Sequence, residues 1–349
     1  MTVRATLEIH PHGAAEALAV ELSTGAPGRW PGVGAEVVSE ADGVAVIDIP
    51  DGNWGADPAL LVSALVAGEA TESSAFNRCR LVGLDVPPGA LPGPAFGSRP
   101  EVVVGAIVKP SLGLRPAQVA QVVAAACEGG ATVVKDDEKL ASPPWCPLEE
   151  RVEAVASVLP AGVTYLANVT GPAADLLGRA RRAVELGATG LLVNVAQGLA
   201  SVLALRQEDL GVPLFVHRAG SGPWCRNPDF GTTGAVLVKL LRLCGADYVI
   251  AGAFGGKLFD SEAEVSDNLR AATAPLGPAA PSWAVLGGGL GPAGVGEQVR
   301  RATAVVGGHG LVLLLGSQAY GGAGGLGAAV GAAVAAVAGT PLAVPGRRR

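Results

Sequence analysis

No CxxC pair occurs in this 349-residue chain. Its five cysteines, Cys79, Cys127, Cys146, Cys225 and Cys244, are scattered and odd in number. Neither a zinc site nor a disulfide framework is suggested. Reduced thiols in a cytoplasmic protein are the expectation. A Lys/Arg-rich face is also missing. The net charge is −6 and the pI lies near 5.3. Nucleic acid is therefore a poor partner, and the closing Arg347-Arg348-Arg349 reads as a frayed tail. No basic start precedes an apolar run, so no secretory leader is expected. The longest apolar run, Gly321 to Gly339, is rich in alanine and glycine. It reads as a tightly packed helix rather than a membrane span.

Charge is scarce as well. Only 16% of residues are charged, against 49% hydrophobic. One cluster stands out for that reason. In "GGATVVKDDEKL", residues 129–140, an apolar run ends in Lys135, Asp136, Asp137 and Glu138.

The chain divides by pattern. Residues 1–86 read as a small α+β unit. "TVRATLEIH", "GVAVIDIP" and "FNRCRLVGLDVP" are expected strands. "DPALLVSALVAGEA" is an expected helix, with Asp57 as its cap and Pro58 at its first position. "PPGALPGPAFGSRP", 87–100, holds five prolines and three glycines and reads as a stiff linker. The expected domains are therefore 1–100 and 101–349.

From residue 101 a buried strand and a helix alternate eight times. Strands are expected at 102–108, 131–135, 163–168, 189–194, 213–217, 247–251, 282–286 and 310–315. Helices are expected near 116–128, 148–158, 172–186, 199–208, 232–243, 262–273, 294–305 and 321–337. Continuous apolar strands between amphipathic helices imply a parallel sheet. Eight units point to a closed (β/α)8 barrel rather than an open doubly wound sheet.

A barrel of this kind carries its site at the C-terminal strand ends. Polar residues gather there: Lys109 with Ser111, Lys135 to Glu138, Asn168, Asn194, His217 with Arg218, Lys257, and Ser317 with Gln318. Asp137 and Glu138 offer hard oxygens suited to magnesium. An ammonium at Lys135 would repel a metal. Its amine becomes useful if it carries carbon dioxide as a carbamate, and burial helps by lowering its pKa. The plainer reading is a strand-end salt bridge. Arg218 offers a guanidinium for phosphate. The glycines after strands 7 and 8 suit a phosphate cradle. Lys257 can close over a ligand on its loop, or simply face water.

Together, "GAIVKPSLGL", "GGATVVKDDEKL" with "PPWCPLEERV", "FVHRAGSG" and "GADYVIAGAFGGKL" resemble the large subunit of ribulose bisphosphate carboxylase/oxygenase (RuBisCO). They also resemble its non-carboxylating relatives, the RuBisCO-like proteins. The resemblance runs in order across the barrel. It implies an amino-terminal unit of ferredoxin-like α+β form. It implies a catalytic role for Lys109, carbamylation of Lys135, and magnesium held by Lys135, Asp137 and Glu138. His217 and Arg218 match the strand-5 pair, with Arg218 on phosphate, and Lys257 matches the mobile-loop lysine. Gly288, Gly289 and Gly316 match phosphate-loop glycines, and Ser317 completes the expected phosphate set.

Departures carry as much weight. Ser111 replaces a second lysine, Ile250 a histidine, Gly287 a serine, and Ser317 a glycine. Glu69 stands near the place of an asparagine that reaches the partner's metal. These losses argue against carbon dioxide fixation. Magnesium-dependent enolisation or isomerisation of a phosphorylated ketose monophosphate, such as a methylthio-sugar phosphate, is expected. Decarboxylation or hydrolysis of a 3-oxo sugar-acid phosphate is the alternative, and intact Lys257 favours it. A catalytically dead binding barrel predicts a decayed metal triad. A Schiff-base aldolase leaves the adjacent acids unexplained. The candidate bases are Lys109, the Lys135 carbamate and His217. The resemblance also implies a homodimer with a shared site, in which residues 69–74 approach the partner's metal.

Overall fold

The computed structural model describes residues 2–55, 57–66, 68–86, 91–276, 279–308, 310–322 and 324–342. The amino-terminal unit holds β1 (Thr2–His10), α1 (Ala15–Glu21), β2 (Glu36–Ala41), β3 (Val44–Pro50), α2 (Pro58–Leu65), α3 (Glu69–Glu72) and β4 (Arg78–Asp85). β1 pairs antiparallel with both β3 and β4, and β2 closes the far edge against β3. The order β4-β1-β3-β2 with two helical crossovers is the expected ferredoxin-like arrangement. Alternation fixes the register, because Val3, Ala5, Leu7 and Ile9 all face the core. Asp57 caps α2 as expected, accepting from Ala59 N at 2.8 Å. The helix ends at Leu65 rather than running on to residue 70.

The barrel strands are β5 (Val102–Ile107), β6 (Val133–Lys135), β7 (Thr164–Asn168), β8 (Gly190–Asn194) and β9 (Leu214–His217). After a short β10 (Phe230–Thr232) follow β11 (Tyr248–Gly252), β12 (Trp283–Leu286) and β13 (Leu311–Leu315). All eight barrel strands run parallel and close from β13 back to β5. The helices are α4 (Pro116–Glu128), α5 (Leu148–Ala156), α6 (Leu176–Glu185), α7 (Leu199–Gln207), α8 (Gly222–Cys225), α9 (Gly234–Leu243), α10 (Glu262–Thr273), α11 (Val295–Val306) and α12 (Gly325–Ala338). Each expected strand is present. The expected helix from 321 starts only at Gly325.

β10 departs from the expected pattern. It leaves the barrel and pairs parallel with β4, extending the amino-terminal sheet. The expected helix from 232 therefore begins two residues later, capped by Thr233 on Val236 N. The linker is pinned to the barrel's lower rim by Asp247. Its buried carboxylate accepts from Phe96 N at 2.8 Å, Leu214 N at 2.8 Å and Arg206 Nη1 at 3.1 Å. These charge-assisted bonds offset the cost of burying the acid.

The barrel interior is partly aromatic. Phe215, Tyr248 and Trp283 sit in register on neighbouring strands. Their rings stack with centroids 6.1 Å and 5.8 Å apart. This layer, with Val133, Leu166 and Val312, packs the interior beneath the mouth.

Candidate active site

At the end of β6, Val133, Val134 and Lys135 are all buried. The Lys135 side chain is fully buried. Its Nζ donates to the carbonyl of Asp136 at 2.7 Å and lies 3.7 Å from Glu138 Oε2. It also sits 5.7 Å from the centre of the Phe215 ring. Burial lowers its pKa, against the opposing pull of Glu138, Asp137 and Asp136. Asp137 is buried too, and its carboxylate pairs with the Lys109 ammonium. Burial pushes the Asp137 carboxyl up, but Lys109, the Lys139 N–H and Lys135 outweigh it and hold it below the usual range.

The turn carrying these acids is gripped from below. The Asp136 carboxylate accepts from Arg151 Nε at 3.0 Å, Tyr165 Oη at 2.8 Å and Asn168 N at 2.9 Å. Asn168 Nδ2 donates to the carbonyls of Asp137 at 3.0 Å and Glu138 at 3.1 Å. Asn194 Nδ2 donates to the same Glu138 carbonyl at 2.9 Å. Asp136 thus anchors the turn that carries Lys135, Asp137 and Glu138. Arg151 and Tyr165 were invisible to strand-end reasoning. One reads as a helix charge and the other as a core aromatic, and only the fold joins them.

At the end of β5, Lys109 Nζ donates to Ser111 Oγ at 2.9 Å, besides its pairing with Asp137. Tyr320, from the loop after β13, fastens this strand end. Its hydroxyl donates to the Ile107 carbonyl at 2.6 Å and accepts from Lys109 N at 3.1 Å. Burial pushes its phenol pKa up, so it stays a donor. The expected sites did not include Tyr320.

His217 Nε2 lies 3.7 Å from Glu138 Oε2, and Nδ1 accepts from Ala219 N at 3.1 Å. That acceptor role assigns the ring proton to Nε2, facing Glu138. Burial, then Lys135, drive its pKa well below the ordinary value, so the ring is neutral. Arg218 Nη1 donates to Asp260 at 3.0 Å.

A cavity of about 130 Å³ fills the mouth. Of the expected residues, Lys109, Glu138, His217, Arg218, Lys257, Gly288, Gly289, Gly316 and Ser317 line it. Lys135 and Asp137 lie beneath it rather than on its wall. Ile250, Ile107, Leu258 and Leu314 make the remaining wall apolar. Gly288 and Gly289 have φ of +102° and +89°. A Cβ on Gly288 would also lie 2.7 Å from Leu258 Cγ, so these two glycines are required. A Cβ on Gly316 would meet nothing closer than 3.8 Å, so no such requirement holds there. The side chain of Glu69 lies outside the described residues. A larger cavity, about 430 Å³, lies against the amino-terminal sheet beside His10, but its Arg78 and Asp229 already pair at 3.0 Å.

Two carboxylates do not make a metal cage, and no set of three His, Cys, Asp or Glu side chains among the described residues does. A carbamate on Lys135 would supply the missing anionic oxygen beside Asp137 and Glu138. A buried amine with a lowered pKa is the form that can take it. The donor set fits magnesium on that condition.

Residues 95–338 match the family described as ribulose bisphosphate carboxylase large chain, catalytic domain. The chain belongs to this family. It is 34% identical over 262 residues to a ribulose bisphosphate carboxylase-like protein of Allochromatium vinosum, covering 68% of this chain and 56% of that one. It is 32% identical over 256 residues to a 3-oxo-isoapionate-4-phosphate transcarboxylase/hydrolase of Xanthobacter autotrophicus, covering 68% of this chain and 61% of that one. It is 36% identical over 181 residues to a 2,3-diketo-5-methylthiopentyl-1-phosphate enolase of Microcystis aeruginosa, covering 48% and 47%. The chain therefore spans about three fifths or less of these relatives' lengths. The crystal structure of a rubisco-like protein from Alicyclobacillus acidocaldarius superposes with a TM-score of 0.82 at 28% identity, covering 98% and 95%. No helix among the described residues is long and apolar enough to cross a membrane.

Proposed function

We propose that this RuBisCO-like chain enolises a phosphorylated ketose monophosphate and fixes no carbon dioxide. The observation that carries this reading is the buried Lys135 amine, held beside Asp137 and Glu138 under a cavity ringed by Lys109, Arg218 and Lys257. Lys135 as a carbamate, Asp137 and Glu138 would hold magnesium. When bound there, the ion supplies Lewis-acid stabilisation of an enolate.

The chain's own groups do the rest. A C–H bond next to the substrate carbonyl breaks, and its proton passes to a base. His217 is the weakest candidate, because its Nε2 already carries a proton and burial opposes a second. Of the other two, Lys109 lines the cavity and Lys135 does not. Lys109 is therefore the assigned base, acting once its own proton has passed to water and its amine has left Asp137. Arg218, Gly288 and Gly289 are placed to receive one phosphate. Ile250 and Leu314 leave no polar group on their side, which suits an apolar substituent such as a methylthio group.

A second reading has its own support. Lys257 is exposed at the cavity and free to meet a substrate carboxylate. It favours decarboxylation or hydrolysis of a 3-oxo sugar-acid phosphate. Deuterium uptake by candidate ketose monophosphates in D₂O supports the first reading, whereas carbon dioxide release from a 3-oxo acid phosphate supports the second. Neither activity with any such substrate sinks both.

We also infer a homodimer with a shared site. Among the described residues, every one lining the mouth cavity comes from position 107 or later, so those of the chain's own amino-terminal unit leave it uncovered. Light scattering on the purified chain tests this, and a monomer would refute it.

A further inference from the structure

Arg218 is held by groups that the proposed chemistry does not use. Its Nη1 donates to both carboxylate oxygens of Asp260 at 3.0 Å. The Asp260 side chain is only 2% exposed. Its Oδ1 also accepts from Asn268 Nδ2 at 3.1 Å, so α10 fixes the acid in turn. The guanidinium lies over Phe259, 5.0 Å from the ring centre, and Arg226 lies over the same ring at 5.5 Å. One atom is left over. Arg218 Nη2 is buried and has no hydrogen-bond partner among the described residues. An unmet buried donor is costly, and this one belongs to a residue lining the mouth cavity.

Asp260 shares the loop between β11 and α10 with Lys257. Two of that loop's ties lie at these residues. Lys257 N donates to the Gly288 carbonyl at 2.9 Å, at the end of β12. Asp260 ties it to Arg218 at the end of β9.

We propose that Asp260 is a positioning residue. It fixes Arg218 so that Nη2 donates to a ligand phosphate oxygen, and it couples phosphate binding to the Lys257 loop. This rests on the reading of a phosphorylated substrate above. Charge alone predicts the opposite, since a carboxylate beside Arg218 repels phosphate and its removal would tighten binding.

The test uses inorganic phosphate as the probe. Calorimetry measures its affinity for the wild-type chain, Asp260→Asn and Phe259→Ala. Trypsin cleavage after the exposed Lys257 reports the loop. The expected result is that phosphate binds the wild type and slows this cleavage. Asp260→Asn should weaken binding about tenfold, as loss of one charged hydrogen-bond partner does, and should abolish the protection. Phe259→Ala, at a 38% exposed side chain, should fold and weaken binding severalfold. Wild-type or tighter binding by Asp260→Asn, or undiminished protection, overturns the proposal. Should that variant not fold, unchanged affinity in Phe259→Ala overturns it. A wild type that ignores phosphate removes the phosphorylated-substrate reading as well.

Discussion

Arg151→Met tests the buried grip on the turn that carries Asp136, Asp137 and Glu138. Arg151 and Asp136 are both fully buried. The guanidinium also donates to the carbonyls of Cys146 at 3.0 Å and Ala141 at 2.7 Å. Methionine fills similar volume but leaves the Asp136 carboxylate with only Tyr165 and Asn168 N as donors among the described residues. Breaking a buried pair from one side costs ~3–5 kcal/mol. With ~2.1 cal/mol/K of unfolding entropy per residue, a loss of ~4 kcal/mol lowers the Tm of this chain by about 5 °C. Adding Asp136→Asn removes the stranded charge, so the double variant should recover about half of the loss. Scanning calorimetry on the wild type, both single variants and the double variant measures this. A single variant within about 1 °C of wild type would refute the reasoning. So would a double variant no better than Arg151→Met.

Other consequences are narrower. Tyr320→Phe leaves Lys109 N and the Ile107 carbonyl without their shared partner, and a lost buried hydrogen bond of ~1–3 kcal/mol should cut kcat about tenfold or more with KM little changed. Asp48 is held below the ordinary carboxylate pKa by its Arg4 hydrogen bond. The folded state therefore binds its proton less tightly than the unfolded chain. Its stabilisation is present above about pH 4 and is lost as pH falls through the lower folded value. Asp48→Asn should accordingly lower the Tm at pH 7, and the difference should shrink progressively in melts repeated as pH falls below about 4. Four of the five cysteines are buried, and burial pushes Cys79 to about 11 and Cys244 to about 12. Only Cys127 should react with a thiol reagent in the native chain, and all five should react in denaturant.

Much of the barrel was legible because parallel strands buried on both faces read as unbroken apolar runs, as in Leu311–Leu315. β10 was hidden because Phe230–Thr232 is three residues long and finds its partner about 150 positions away on β4. β2 was hidden by the opposite feature. It is an exposed edge strand in which Glu36 and Glu40 blur the alternation. At the mouth, the polar residues that line the cavity were legible as strand ends. Their supports were not. Arg151, Tyr165, Tyr320 and Asp260 act only through partners that folding delivers. No local pattern distinguishes them from a helix charge, a core aromatic or a loop acid.

Lys135 carries the central claim, and proton exchange with its activator withheld tests it most directly. Deuterium uptake by a ketose monophosphate is followed by NMR in D₂O with magnesium, with and without bicarbonate, for the wild type and Lys135→Ala. Uptake should require both magnesium and bicarbonate in the wild type and should vanish in the variant. Equal uptake in carbon-dioxide-free buffer, or in Lys135→Ala, would contradict the account.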